Sequence, residues 1–286
     1  VNPYSVESTE SNVLVVRFPE IKLGWEQWIM LSSDRHHDNR WCNRELERYH
    51  LEKAKKLGAL VIDAGDLFCA MQGKYDPRSN KDDIRPEHLG ENYLDLIVAE
   101  AAEGYAPYAE NILLVGRGNH ETNIRRRHGT DLTSNLVFLL NAQHGAHAYV
   151  GGYGGWVRFM FEIHQTKRQS MNLRYYHGKS TSAPVTRGVI QTNRQAVYLP
   201  DADVVLNGHN HEAYHVPVPR ERLSMQGNVG RDVLDFVRTP GYQDSRRGGE
   251  LGYAAERGTP KANGCAWLRL WYDNNEVHRA IILDVG

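Results

Sequence analysis

The chain has little cysteine, no long apolar run, no excess of charge of either sign and no internal repeat. Its three cysteines, Cys42, Cys69 and Cys265, stand far apart and form no CxxC pair, which excludes a disulfide framework and a zinc ribbon. They read as small buried hydrophobes. No stretch approaches the run of about 20 apolar residues that spans a bilayer, and the first residues lack the basic, apolar and small-residue succession of a secretory signal. A cytosolic protein with no membrane partner is expected. A formal net charge of -1, from 34 Lys and Arg against 35 Asp and Glu, gives no global basic excess for tracking long nucleic acid. Any such contact has to be local. With no low-complexity tract and no linker, residues 1–286 read as one domain.

What is present is ordinary globular composition, 41% hydrophobic and 24% charged, with one exception. The fourteen histidines are about twice the usual share for this length, which favours metal or phosphate chemistry. Short β-branched runs alternate with helical patterns. VLVVRF (13–18), WIML (28–31), ALVID (59–63), NILLVG (111–116) and DVVLN (203–207) predict strands, being contiguous, apolar and too short for buried helices. Leu46, Tyr49, Ala54 and Leu57 predict one face of a helix over 44–57 that stops at Gly58. Further helices are expected through Leu94 to Tyr105, Leu132 to Leu140 and Pro184 to Tyr198. Strands around 146–150 and 156–163 flank the turn GGYGG, as in a hairpin. Residues 172–176 predict another strand. From Pro217 the pattern weakens; residues 220–260 read as turn-rich, and only KANGCAWLRLWYD and HRAIILDV read as later strands.

The polar residues cluster where these strands end: SSDRHHD, DAGD, GRGNHE, YYHG and NGHNH. Open α/β folds place their ligands at such strand ends. Side chains at i and i+2 of an extended segment share a side, so Asp34 with His36, and His209 with His211, are each expected to hold one ion. Carboxylate, amide oxygen and imidazoles form an N/O donor set that suits Mn, Fe or Zn and argues against calcium. Gly65, Gly118 and Gly208, each directly before one of these residues, allow close backbone approach.

In this order, Asp34-Arg35-His36, Gly65-Asp66, Gly118-Asn119-His120-Glu121, His177 and Gly208-His209-Asn210-His211 resemble the five-block motif of the calcineurin-like metallophosphoesterases. The resemblance spans nearly two-thirds of the chain. DRHHDNRWCNRE and VIQTNRQAVYLPDADVVLNGHNH look similar to phage- or prophage-encoded members. The resemblance implies an α/β fold, a four-layer sandwich of two mixed β-sheets flanked by helices. It further implies two divalent ions, with Mn first and Fe, Zn or Ni as alternatives. Asp34, His36, Asp66 and His211 would hold one ion. Asp66, Asn119, His177 and His209 would hold the other, with Asp66 bridging. Ions about 3.5 to 4 Å apart can share a bridging hydroxide and polarise a phosphoryl group. The activity implied is phosphoester hydrolysis, a phosphodiesterase first, with Asp66 and His120 catalytic and His120 acting as acid or charge stabiliser. The alternatives are a nucleotide or protein phosphomonoesterase, a small nuclease, or a non-catalytic docking module of the same fold. A nucleotide or nucleic acid is the candidate partner. The short chain after His211, read as strands and a cap loop over 212–286, speaks against the DNA-binding cap of the family's repair nucleases.

Other residues fill supporting roles. Asp63 and Glu121 are candidates for orienting the ligands, and His37 and Asp38 for outer contacts or solvent. Arg35, Arg117 and Arg187 are candidate phosphate clamps. The run Arg125, Arg126, Arg127 and His128 reads as a solvated face, with Arg125 kept as a candidate contact to a phosphate backbone. GKSTSAPVTRG is no P-loop, because Leu173 stands where the first glycine is required; it reads as a loop over the metals.

Overall fold

A computed structural model describes residues 3–10, 12–71, 80–164, 167–179, 188–244 and 261–286. Strands β1 (Ser5–Glu10), β2 (Val13–Phe18), β3 (Glu26–Ser32) and helix α1 (Arg44–Leu57) open the chain. Then come β4 (Leu60–Asp63), α2 (Tyr93–Tyr105), β5 (Ile112–Val115), α3 (Asn119–His128), α4 (Leu132–Gln143) and β6 (Tyr149–Val150). The second half holds β7 (Gly154–His164), β8 (Lys167–Tyr176), α5 (Val189–Tyr198), β9 (Val204–Asn207), β10 (Tyr214–Leu223), β11 (Val229–Arg238), β12 (Gly264–Asp273) and β13 (Glu276–Val285).

Two mixed sheets result, in the orders β1-β2-β7-β8-β9-β11-β10 and β13-β12-β3-β4-β5-β6. The period of two along each strand sorts the side chains between layers. On β3, β4 and β12, Ile29, Leu31, Leu60, Ile62, Ala266, Leu268 and Leu270 face the opposite sheet, meeting Leu14, Val16, Phe159, Leu173 and Leu206 in one core. The intervening Met30, Val61 and Trp267 point the other way, into a second core with Leu51, Ala54, Ile97, Ala101, Leu136 and Leu140 of the helices. A small third core of Ala202, Val205, Leu234 and Phe236 packs with Ala196 of α5 on the outer face of the larger sheet. Helices, sheet, sheet and helix form the expected four-layer α/β sandwich. Trp267 is fully buried, and a side chain of that size contributes about 3 kcal/mol by leaving water.

Several local expectations fail, each for a physical reason. On α1 the buried face carries Glu47, His50, Leu51 and Ala54, while Tyr49 and Leu57 are exposed. The helix is rotated because Glu47 and His50 find buried partners, which the apolar stripe alone does not reveal. β6 and β7 are no hairpin: GGYGG carries the chain from one sheet to the other, and the hairpin is β7 with β8. From Pro217, where the pattern was expected to weaken and residues 220–260 to be turn-rich, the chain instead continues the long antiparallel pair β10 and β11 up to Arg238. β10 is an edge strand, where Pro217 and Pro219 cost no ladder bond on the open side. α3 and β1 are additions the pattern did not predict. The N-terminal part of the helix expected over 184–198 lies outside the described residues, as do residues 245–260 of the irregular tail.

Candidate metal centre

Parallel strands β3, β4 and β5 of one sheet and β8 and β9 of the other deliver their C-terminal ends to one edge of the sandwich. The loops that leave them are cross-bonded. The Asp34 amide donates to the Gly65 carbonyl at 2.8 Å, the His36 amide to the Asp66 carbonyl at 3.1 Å, and the His209 amide to Asp34 Oδ2 at 2.8 Å. A Cβ on Gly118 would collide with Asp66 Oδ1, and one on Gly208 with Ser33 Oγ and Asp34 Oδ2. Both glycines are required by close approach, as their positions predicted.

The pairing of Asp34 with His36 and of His209 with His211 does not come from extended backbone, which corrects the sequence reading. All four residues adopt left-handed conformations, with φ of 52°, 46°, 76° and 54°, and Asp66 joins them at 55°. The left-handed region is disfavoured by about 1 to 2 kcal/mol for a residue with a Cβ. Strain of this kind clusters where function demands it. Here alternate residues turn left-handed, which sends Asp34 and His36 to one donor group but divides His209 from His211, so that second pair does not hold one ion together as expected.

Two groups of donors form. Ligand atoms of Asp34, His36 and His211 lie within 4.8 Å of one another, and so do those of Asp66, His177 and His209. His177 Nε2 stands 3.0 Å from Asp66 Oδ2, 3.2 Å from Asn119 Oδ1 and 3.3 Å from His209 Nδ1. Its Nδ1 faces the Ala64 carbonyl at 3.2 Å, which can only accept, so the Nε2 lone pair is turned toward the other donors. All seven ligand candidates named from the sequence therefore meet. The orphaned atoms test whether metal ions fit. Asp34 Oδ1, His36 Nδ1 and His211 Nδ1 are buried without a hydrogen-bond partner, although buried polar atoms are nearly always paired. Divalent cations match this donor set.

The protonation states agree. Burial holds His36 well below its ordinary pKa, reinforced by His120 and His211; burial lowers His211 as well, and burial with His177 brings His209 down to about 4. Burial would raise Asp66, but His177 and His120 outweigh it and hold the carboxyl well below its usual range. Neutral imidazoles and an ionised carboxylate are what metal ligation needs. His177 is the exception: burial would lower it, yet Asp66 and Asp34 lift it to about 9.

A second layer of carboxylates grips these loops by their backbone. Glu121 accepts the amides of Asp66, Phe68 and Gly118 at 3.2, 2.8 and 2.8 Å; burial and Asp66 push its pKa to about 8. Asp38 accepts the Cys69 and Ala70 amides and the Tyr93 hydroxyl. Asp63 accepts the Gly65 amide at 2.9 Å and the Arg35 guanidinium at 2.7 Å. His120, at the start of α3, has Nδ1 2.6 Å from the Cys69 carbonyl and Nε2 3.8 Å from Asp66 Oδ2. The carbonyl fixes the proton on Nδ1 and presents Nε2 to the centre.

The arginines behave otherwise than expected. Arg35 is 2% exposed, and its guanidinium is consumed by Asp63, Glu47 and Ser32, so it locks the first loop and has no donor turned to substrate. Arg117 is held by Asp131, Ser134 and the Gly151 carbonyl, bracing α4 rather than clamping phosphate. Arg125 is exposed in the last turn of α3, about 9 Å along the axis from Asn119. There it complements the helix dipole beside Arg126 and Arg127. Arg187 and most of GKSTSAPVTRG lie outside the described residues. Asp38 and His37 are buried: His37 Nδ1 meets Glu47 Oε2 at 2.8 Å, and neither side chain faces solvent. The sequence reading missed Glu47, whose signal was a carboxylate at the spacing of Leu51 and Ala54. It also missed that Cys69 lies against His36 and His120. Burial pushes that thiol well above its ordinary pKa, which makes it a poor ligand.

No protein-family model matches the chain, and no curated protein matches it. Among solved structures, it is similar to vacuolar protein sorting 29 from Cryptosporidium parvum: 12% identity, covering 92% of this chain and 100% of that one, TM-score 0.39. It is also similar to a predicted phosphoesterase from Streptococcus pneumoniae TIGR4, with 16% identity, 91% and 90% coverage and a TM-score of 0.32. A third is wild-type Vps29 complexed with zinc from Entamoeba histolytica, with 9% identity, 90% and 98% coverage and a TM-score of 0.36. Among the described residues no helix is long and apolar enough to cross a membrane.

Proposed function

We propose that the protein is a dinuclear metal-dependent phosphoester hydrolase, with phosphodiesters as the preferred substrates. The observation that carries this reading is the convergence of two three-residue donor groups, five of whose six residues, Asp34, His36, Asp66, His209 and His211, sit on left-handed backbone. Asp34, His36 and His211 would hold one ion, His177, His209 and Asn119 the other, and Asp66 would serve both. When bound, two such ions supply Lewis acidity and a nucleophile at neutral pH. The chain's own residues do the rest. Glu121, Asp38 and Asp63 keep the loops in register by accepting their amides, so the ligands are fixed before substrate arrives. His120 offers Nε2 beside Asp66, placed to stabilise charge on the phosphoryl group or to protonate a leaving alkoxide. Manganese is the favoured metal, since oxygen and imidazole donors together suit it, with iron, zinc and nickel fitting the same set.

The test is turnover of bis(p-nitrophenyl) phosphate beside p-nitrophenyl phosphate, with Mn, Ni, Zn and Mg compared and the metal content measured. Faster cleavage of the diester, abolished by chelation and by Asp66→Asn, is expected. Well under one metal per chain after metal-replete purification, with no turnover in any metal, sinks the reading and leaves a docking module.

A further inference from the structure

Arg238, the last residue of β11, is a buried cation with no carboxylate in ion-pair contact among the described residues; Asp34 and Glu212 act on it only from a distance. It is 2% exposed, its Nε has no hydrogen-bond partner, and among the described residues no ion pair engages it. Its guanidinium lies 5.5 Å from the centre of the Tyr214 ring and interacts with that side chain, which leaves Nε without a partner. An arginine buried in this way is unusual, because a charge removed from water without a paired anion is strongly disfavoured. Arg35, equally buried, shows the usual solution with Asp63 and Glu47 around it.

The position of Arg238 says what kind of anion is missing. It pairs in register with Asn207, the residue before Gly208-His209-Asn210-His211, and the next residue, Thr239, meets Ser33 at 2.7 Å beside Asp34. The end of β11 is thus wedged between the two ligand loops. A Cβ built on Gly188 would lie 2.9 Å from Arg238 Nη1 and 3.2 Å from Asn210 Nδ2. Two side-chain donors therefore converge on Gly188, the N-cap of the ten-residue helix α5, which has no side-chain cap. Asn210 Oδ1 takes the Glu212 amide at 3.4 Å, which directs the Nδ2 donor the other way. Tyr214 in turn braces α5 through Thr192 at 3.0 Å. A guanidinium, a carboxamide N–H and a helix N-terminus facing one point are the chemistry of an oxyanion site.

We propose that Arg238, Asn210 and the N-terminus of α5 form an oxyanion subsite beside the metal centre that takes a phosphoryl group of the substrate. It rests on the hydrolase reading for the word substrate, but not for the anion. The phosphoryl group is either the scissile one or its neighbour along the chain of a polyphosphorylated or nucleic-acid substrate. Burial lowers the Arg238 pKa, opposed by Tyr214, Asp34 and Glu212, and a guanidinium stays charged in proteins, so its attraction is set by geometry.

Inorganic phosphate is the probe, titrated calorimetrically into metal-replete and chelated protein, each as wild type and as Arg238→Met. The expected result is phosphate binding weakened by about tenfold or more in the variant in both forms, at unchanged metal content. Wild-type affinity in a folded Arg238→Met protein overturns the proposal. If that variant does not fold by circular dichroism, Asn210→Ala and Gly188→Ala decide, and unchanged binding in both overturns it. A wild type that binds no metal defeats the hydrolase reading, whereas the chelated arm still reads the subsite. Turnover separates the two sources of phosphoryl group. A fall in kcat/KM on bis(p-nitrophenyl) phosphate assigns the scissile group. A raised KM confined to a short oligonucleotide assigns the neighbour. Loss with neither overturns the assignment to substrate.

Discussion

At the scale of single residues, the site is made by backbone that ordinarily resists its conformation. Asp34, His36, Asp66, His209 and His211 are five of the nine described non-glycine residues with positive φ, and no other region holds such a concentration. Their identities were legible from the motifs; their left-handed geometry was not, because it is imposed by contacts from other loops, such as the Gly65 and Asp66 carbonyls that receive the Asp34 and His36 amides. His120 shows the same division. Its neighbours in GNHE marked it, but the Cys69 carbonyl that fixes its tautomer lies 51 residues away in sequence. A residue that acts on substrate and not on the fold has a definite signature. His120→Ala should retain its metals by elemental analysis and lose about 10²-fold or more in kcat. Loss of metal, or nearly full activity, would show that the imidazole is structural.

At the scale of elements, α1 is the clearest case of a helix whose buried face is polar for a reason. Glu47 accepts from Arg35, His37 and Tyr105 inside the protein, tying the helix to the loop that carries Asp34 and His36. Burial would raise its pKa, but His37 and then Arg35 bring it down to about 2 from an ordinary 4.5. A carboxyl depressed on folding adds stability above its unfolded pKa and loses it as pH falls through the folded one. The stabilisation is therefore complete above about 4.5 and fades toward about 2. Glu47→Gln should cost roughly 1 to 3 kcal/mol at neutral pH, because Arg35 keeps Asp63 but loses one of its two carboxylates. Its urea-derived stability should also fall less steeply than that of wild type between those two pH values. Identical slopes would mean that Glu47 carries no such linkage. The α1 stripe of Leu46, Tyr49, Ala54 and Leu57 was misplaced for this reason: periodicity finds apolar faces, and here charge pairing turned the helix.

At the scale of the whole molecule, two sheets that share no strand meet at one edge, and the centre bridges them. Asp34, His36, Asp66 and Asn119 come from the smaller sheet's side, His177, His209 and His211 from the larger. Metal ions there would tie the sheets together, so binding to the native state alone should stabilise the fold. Removing metal is expected to lower the thermal midpoint by several degrees and to speed hydrogen exchange in residues 33–38 and 64–70. Equal melting and exchange with and without metal would show that the ions do not join the layers. The sequence by itself determined the short contiguous apolar strands and the polar clusters at their ends, which name the seven residues that meet there, because strand burial and donor chemistry are local properties of residue type. Only the tertiary structure decided which sheet each strand joins, how α1 is turned, and that β10 and β11 extend through residues rich in charge. It also decided which arginines are consumed. Arg35 and Arg117 stood in the motifs and are spent on carboxylates, while Arg238, far from any motif, reaches the site with its Nε unpartnered and no ion pair among the described residues. Charge pairing is settled by neighbours distant in sequence, and no local pattern encodes it.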